Sequence, residues 1–247
     1  MAATDQNSNA VLQGLARHLN CLGEENKMAR RRALESIKKD TIKRNPAIDE
    51  ADCKPILNEI LKPLLKEFSD SVEKCRELAL EILSGFLTVV NDPEDYLPYV
   101  IPVLVQRLGQ QDITEPSEEL RLQLVTFLQT ILECSGKKLT VYLDDVLRML
   151  QRTLVDPYAD VKKVSCNCVT VVAKAIPEYF YQQSESVIKP LLLAITHQHS
   201  KVRSLVIYTI GKLLTVHFKY RLKYKYITDI VIKKLSPLIN KLFRFLL

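Results

Sequence analysis

Five times along this chain a small or apolar residue is followed at once by a cation: Ala29-Arg30, Cys75-Arg76, Leu120-Arg121, Val161-Lys162 and Val202-Arg203. Successive markers stand 46, 45, 41 and 41 residues apart. That period suits one helical hairpin, and a lone hairpin cannot bury its apolar face, so it must stack on copies of itself. The 247 residues therefore read as one array of about five units.

The apolar spacing inside each period supports two helices per unit. Residues 55–68 put Ile56, Ile60, Leu61, Leu64, Leu65 and Phe68 on one helical face. Ser69-Asp70-Ser71 breaks the pattern, and residues 73–90 resume it as an antiparallel partner. The same design predicts helices over 9–22 and 27–42, 96–108 and 118–132, 139–154 and 159–175, and 184–196 and 201–216. With only six glycines and no Asn-Gly or Asp-Gly turn, the chain reads as all-α, an α-solenoid.

Finer marks keep the same register. Leu61-Lys62-Pro63-Leu64-Leu65 returns as Ile188-Lys189-Pro190-Leu191-Leu192, and Pro102 holds a similar place. Asp70, Glu115 and Asp156 each precede a marker by five residues, where a carboxylate is expected to cap the second helix. The fifth unit has His197 there.

The net charge of +6 invites a nucleic-acid or membrane partner until it is divided along the chain. Residues 218–247 hold eight cations and one anion, which leaves the array over 1–217 close to neutral. Residues 227–235 suit the first helix of an unfinished sixth unit, and Ser236-Pro237 followed by Leu238, Ile239, Leu242, Phe243 and Leu246 suits a basic amphipathic helix. This divergent basic tail fits an acidic membrane surface, a nucleic acid or a docking partner, and equally an uncapped array end. Six cysteines at mostly apolar helical positions read as reduced thiols. The start of the chain carries no pattern of a signal peptide and no run approaches a membrane span, so the expected compartment is the cytoplasm.

Paired helices with proline in the first, an acid in the turn and Val-Lys or Val-Arg opening the second resemble HEAT repeats, best in residues 156–163 and 199–203. More narrowly, Arg30-Arg31-Arg32-Ala33-Leu34-Glu35, Glu118-Glu119-Leu120-Arg121, Leu143-Asp144-Asp145, Ser165-Cys166-Asn167-Cys168, Gln183-Ser184-Glu185-Ser186 and His197-Gln198-His199 resemble the N-terminal part of the dynein axonemal assembly factor 5 family, also called HEAT repeat-containing protein 2. The resemblance implies a cytoplasmic scaffold for pre-assembly of dynein arms in motile cilia, with axonemal dynein chains, chaperones and other assembly factors as partners. Family members are much longer and the likeness fades after about Val216, which suggests a truncated or alternatively terminated form.

Candidate chemistry is sparse. Arg30, Arg76, Arg121, Lys162 and Arg203 form an in-register ladder, expected to pair with turn carboxylates such as Asp70 and Asp156 or else to face an acidic partner. Cys166 and Cys168 with His197 and His199 are zinc-ligand types. Residues two apart on a helix diverge by about 200°, so the two thiols are read as core residues and no metal or cofactor is assigned. No phosphate loop, nucleotide fingerprint, His-Glu-x-x-His or nucleophile elbow is present, and the chain reads as a non-enzyme.

Overall fold

The computed structural model describes residues 2–44, 47–48, 50–90 and 93–220. The basic tail from residue 221 onward lies outside the described residues, as do the sixth-unit and amphipathic-helix readings made for it. Every regular element among the described residues is helical. Unit one pairs α1 (Ala2–Cys21) with α2 (Lys27–Asp40), and unit two pairs α3 (Glu50–Glu67) with α4 (Glu73–Leu87). Unit three pairs α5 (Leu97–Leu108) with α6 (Glu118–Ser135), and unit four α7 (Leu143–Thr153) with α8 (Ala159–Ala175). In unit five α9 (Pro177–Gln183) and α10 (Glu185–Ala194) together precede α11 (Ser200–Tyr220).

The helices form two layers. First helices stack in the order α1, α3, α5, α7, α10, and second helices in the order α2, α4, α6, α8, α11. One hydrophobic cluster runs without a break from Leu15 in α1 to Leu213 in α11. Phe68 at the end of α3 meets Phe127 of α6 edge to face, with ring centroids 6.1 Å apart, which joins the layers of adjacent units.

Helix limits depart from the sequence pattern in instructive places. The first helix of unit two begins at Glu50, five residues before Pro55, because Cys53 is also buried there and Pro55 costs a bond only one turn into the helix. The first helices of units three and four are each entered through a 3-10 turn, Glu94–Tyr96 and Gly136–Tyr142, that buries Tyr96 and Leu139. In unit five the missed element is α9, opened by Pro177 at its first position and carrying the buried Phe180 and Tyr181.

One glycine is required by packing. A Cβ on Gly85 in α4 would lie 2.5 Å from Ile42 Cγ2, so the absence of a side chain there lets α4 close against the chain leaving α2.

Candidate functional site

The edge of the array that carries the turns within each hairpin holds the marker cations. In α2, Arg30 Nε donates to Asp70 Oδ2 at 2.6 Å and Nη2 to Asp70 Oδ1 at 3.1 Å. In α4, Arg76 Nε and Nη2 grip Glu115 at 2.7 and 2.8 Å. In α6, Arg121 Nε and Nη2 grip Asp156 at 2.7 and 3.1 Å. Each arginine thus reaches the turn of the next unit with a bidentate fork, which fixes orientation as well as charge. The remaining nitrogen turns back on its own hairpin: Arg30 Nη1 donates to the carbonyls of Glu24 and Glu25, Arg76 Nη1 to that of Asp70, and Arg121 Nη1 to those of Glu115 and Pro116.

The carboxylates have a second duty. Asp70 accepts from the Val72 N–H at 2.6 Å, Glu115 from the Ser117 N–H at 3.1 Å and Asp156 from the Tyr158 N–H at 2.8 Å. They brace the turn just ahead of the second helix and do not cap the helix itself. In unit three the cap is Ser117, whose hydroxyl accepts from the Leu120 N–H. Burial raises the pKa of Glu115, but hydrogen bonds from Arg76, the Ser117 N–H and Arg107 outweigh it and hold the carboxyl below its ordinary range. Asp70 is held low in the same way, burial being overcome by Arg30 and the Val72 N–H.

Glu67, at the end of α3, responds in the opposite direction. It is 4 % exposed, and burial followed by its hydrogen bond to Asp70 pushes its pKa up to about 7. Nothing in the sequence separated it from the exposed acids around it, because its burial arises only when units one and two meet.

The ladder changes character at the fourth joint. His197 occupies the acid's position and keeps the turn contact, its Nδ1 accepting from the His199 N–H at 3.1 Å. An accepting Nδ1 puts the proton of the neutral ring on Nε2. Burial, then Lys162, His199 and Arg203, hold its pKa below the usual imidazole value. Lys162 pairs with no carboxylate among the described residues, and Arg203 keeps only its bonds to the His197 and Gln198 carbonyls.

Cys166 and Cys168 are both buried although they point apart, because α8 lies between two neighbours. The Cys168 thiol faces the Val125 carbonyl of α6, while Thr209 of α11 donates to the Cys166 carbonyl. Burial pushes the Cys166 thiol up to about 12, so it stays protonated. Among the described residues no group of three or more His, Cys, Asp or Glu side chains is placed to hold a metal ion.

A row of equivalent positions lies on the outer side of the second-helix layer. Six residues after each marker stand Glu35, Glu81, Thr126, Asn167 and Tyr208, all exposed or half-exposed. The 41–46-residue period that located the markers also locates this row, although the residue types are too varied to draw notice.

Comparisons with known proteins agree with this architecture. Residues 21–236 match the family described as "Dynein axonemal assembly factor 5-like, TPR repeats". The chain belongs to the dynein axonemal assembly factor 5 family. It is 52% identical over 204 residues to dynein axonemal assembly factor 5 of Xenopus laevis, covering 83% of this chain and 24% of that protein. It is 39% identical over 212 residues to the Mus musculus protein, covering 83% of this chain and 25% of that protein. The chain thus spans about a quarter of the length of these relatives. A designed armadillo repeat protein in complex with peptide (KR)4 matches with a TM-score of 0.64 at 14% identity, covering 84% of this chain and 86% of that one, which shows a shared solenoid fold. The family description speaks of TPR units, but those repeat at about 34 residues. The longer spacing here and the prolines within α3, α5 and α10 follow the HEAT pattern. No helix among the described residues is long and apolar enough to cross a membrane.

Proposed function

We propose that this chain works as a cytoplasmic scaffold in the pre-assembly of axonemal dynein arms for motile cilia, holding dynein chains and chaperones on its solenoid surface without catalysing a reaction. The observation that carries this reading is the match to dynein axonemal assembly factor 5 proteins over 83% of the chain. The architecture supports it physically: an array held by nearest-neighbour joints presents an extended face on which many modest contacts add up. The row from Glu35 to Tyr208 is the partner-facing surface in this reading. Arg30, Arg76 and Arg121, with Asp70, Glu115 and Asp156, act within the joints, since their charges are already spent on one another. Lys162 and Arg203 complete the same edge.

The test is affinity capture of the tagged 247-residue chain from ciliating cells, read by mass spectrometry and compared with a variant carrying Asn167→Arg and Tyr208→Ala. The expected result is enrichment of dynein chains and chaperones that the variant loses while its circular dichroism and melting are unchanged. Capture of neither class by the unaltered chain refutes the proposal.

A further inference from the structure

The second helices open on equivalent residues: Lys27, Glu73, Glu118, Ala159 and Ser200. In units two and three that residue is an acid three places before the marker arginine, which puts the two side chains one helical turn apart. The effect is felt in unit two, where Glu115 does most to raise the pKa of Arg76 and Glu73 adds to it. In unit five the same place holds the exposed Ser200, three residues before Arg203.

Arg203 is short of anions in both directions along the array. Its Nη1 is bonded to the His197 and Gln198 carbonyls. Its Nε and Nη2, the pair that forms the fork in Arg30, Arg76 and Arg121, meet no acceptor among the described residues. Those three arginines grip acids 40, 39 and 35 residues further on. The corresponding stretch beyond Arg203, residues 238–243, contains no Asp or Glu. On the near side the turn acid is replaced by His197, whose pKa burial, Lys162, His199 and Arg203 together hold low. Lys201 stands exposed next to Ser200. Unit five therefore keeps the cations of the earlier joints without their carboxylates, and an exposed hydroxyl stands where two earlier units carry a negative charge.

We propose that Ser200 is a phosphorylation site, whose phosphate gives the free fork of Arg203 the anion that unit five lacks. A protein kinase transfers the γ-phosphoryl group of a nucleoside triphosphate. Ser200 Oγ forms the new P–O bond, the bond to the β-phosphate oxygen breaks, the nucleoside diphosphate leaves with its electron pair, and the hydroxyl proton passes to the base of the kinase. The product carries a charge of about −1.5 to −2 and three acceptor oxygens, which suit a guanidinium fork one turn away. The first turn of α11 is thereby secured. The same helix carries Tyr208, the last residue of the proposed partner row, and only that consequence rests on the scaffold reading.

Two measurements on the full chain test this. The tagged protein from ciliating cells treated with phosphatase inhibitors is digested and read by mass spectrometry; phosphate is expected on Ser200 and is lost in Ser200→Ala. The chain with phosphoserine installed at position 200 by codon reassignment is expected to melt about 2–6 °C above the unmodified chain at about 0.01 M salt. Amide exchange at the start of α11 should slow with it. At about 1 M salt the gap should close, and Arg203→Gln should remove most of it. A Ser200 peptide recovered only without phosphate overturns the proposal, as does an installed phosphate that leaves melting unchanged or lowers it. A gap that persists both at high salt and in Arg203→Gln excludes the ion pair and overturns it too. Neither measurement reads dynein capture, so failure here and failure of the scaffold reading are separate results.

Discussion

Replacing Arg121 with Met tests whether the cation–acid joints hold neighbouring units together. Both partners of the Arg121–Asp156 pair are shielded, at 8% and 6% side-chain exposure, and the fork closes at 2.7 and 3.1 Å. For an exposed pair the expected loss is about 0–1 kcal/mol. Leaving one partner charged and buried costs about 3–5 kcal/mol, and the shielding here selects that larger figure. Arg121 also satisfies the Glu115 and Pro116 carbonyls, so its removal adds to the loss. With a urea dependence of about 2–3 kcal/mol per molar, the midpoint should fall by roughly 1–2 M. In an array stabilised by nearest-neighbour contacts the loss should be local. Amide exchange should therefore rise in α7 and α8 well before α2 and α4. The double variant Arg121→Met with Asp156→Leu leaves no buried charge, and should recover most of the lost stability. A midpoint shift equivalent to under about 1 kcal/mol, or a double variant as unstable as the single one, refutes the reasoning.

Restoring the missing acid with His197→Asp should pair Lys162 and stabilise by about 0.2–1 kcal/mol, raising the melting temperature by roughly 1–4 °C at low salt; a lower melting temperature contradicts the joint as described. Gly85→Ala should destabilise by about 1–3 kcal/mol in chemical denaturation, because its Cβ would meet Ile42 at 2.5 Å, and no loss would mean that α4 and Ile42 are not in close approach. Glu67 binds its proton more tightly folded than unfolded, its pKa rising from 4.5 to about 7. Its contribution is therefore complete below about pH 4.5 and lost as pH rises through about 7. Glu67→Gln should flatten the fall in melting temperature over that window, and an unchanged slope excludes Glu67 as its source.

The marker dipeptides and the apolar period of each unit were enough to specify an all-α array and the order of its hairpins, while the marker cations were left either to pair with turn carboxylates or to face an acidic partner. A local helical pattern dictates which side of each segment must be buried, and a repeated pattern dictates that the burial is against a copy. The family resemblance was legible in the same way, from short runs that keep their order along the chain. The α9 segment was missed because its seven residues supply too few turns for a period to declare itself.

What the tertiary structure decided concerns pairs of units. Asp70, Glu115 and Asp156 lie 40, 39 and 35 residues from the arginines that grip them, and only stacking tells which of several nearby acids is chosen. The same holds for the Glu67 carboxyl, buried where Arg30 crosses to Asp70, and for Cys166 and Cys168, both shielded because α8 has a neighbour on each side. Periodicity along one helix reports the direction of burial. Desolvation and pairing depend on distances between segments some forty residues apart, and those are set by how the hairpins pack.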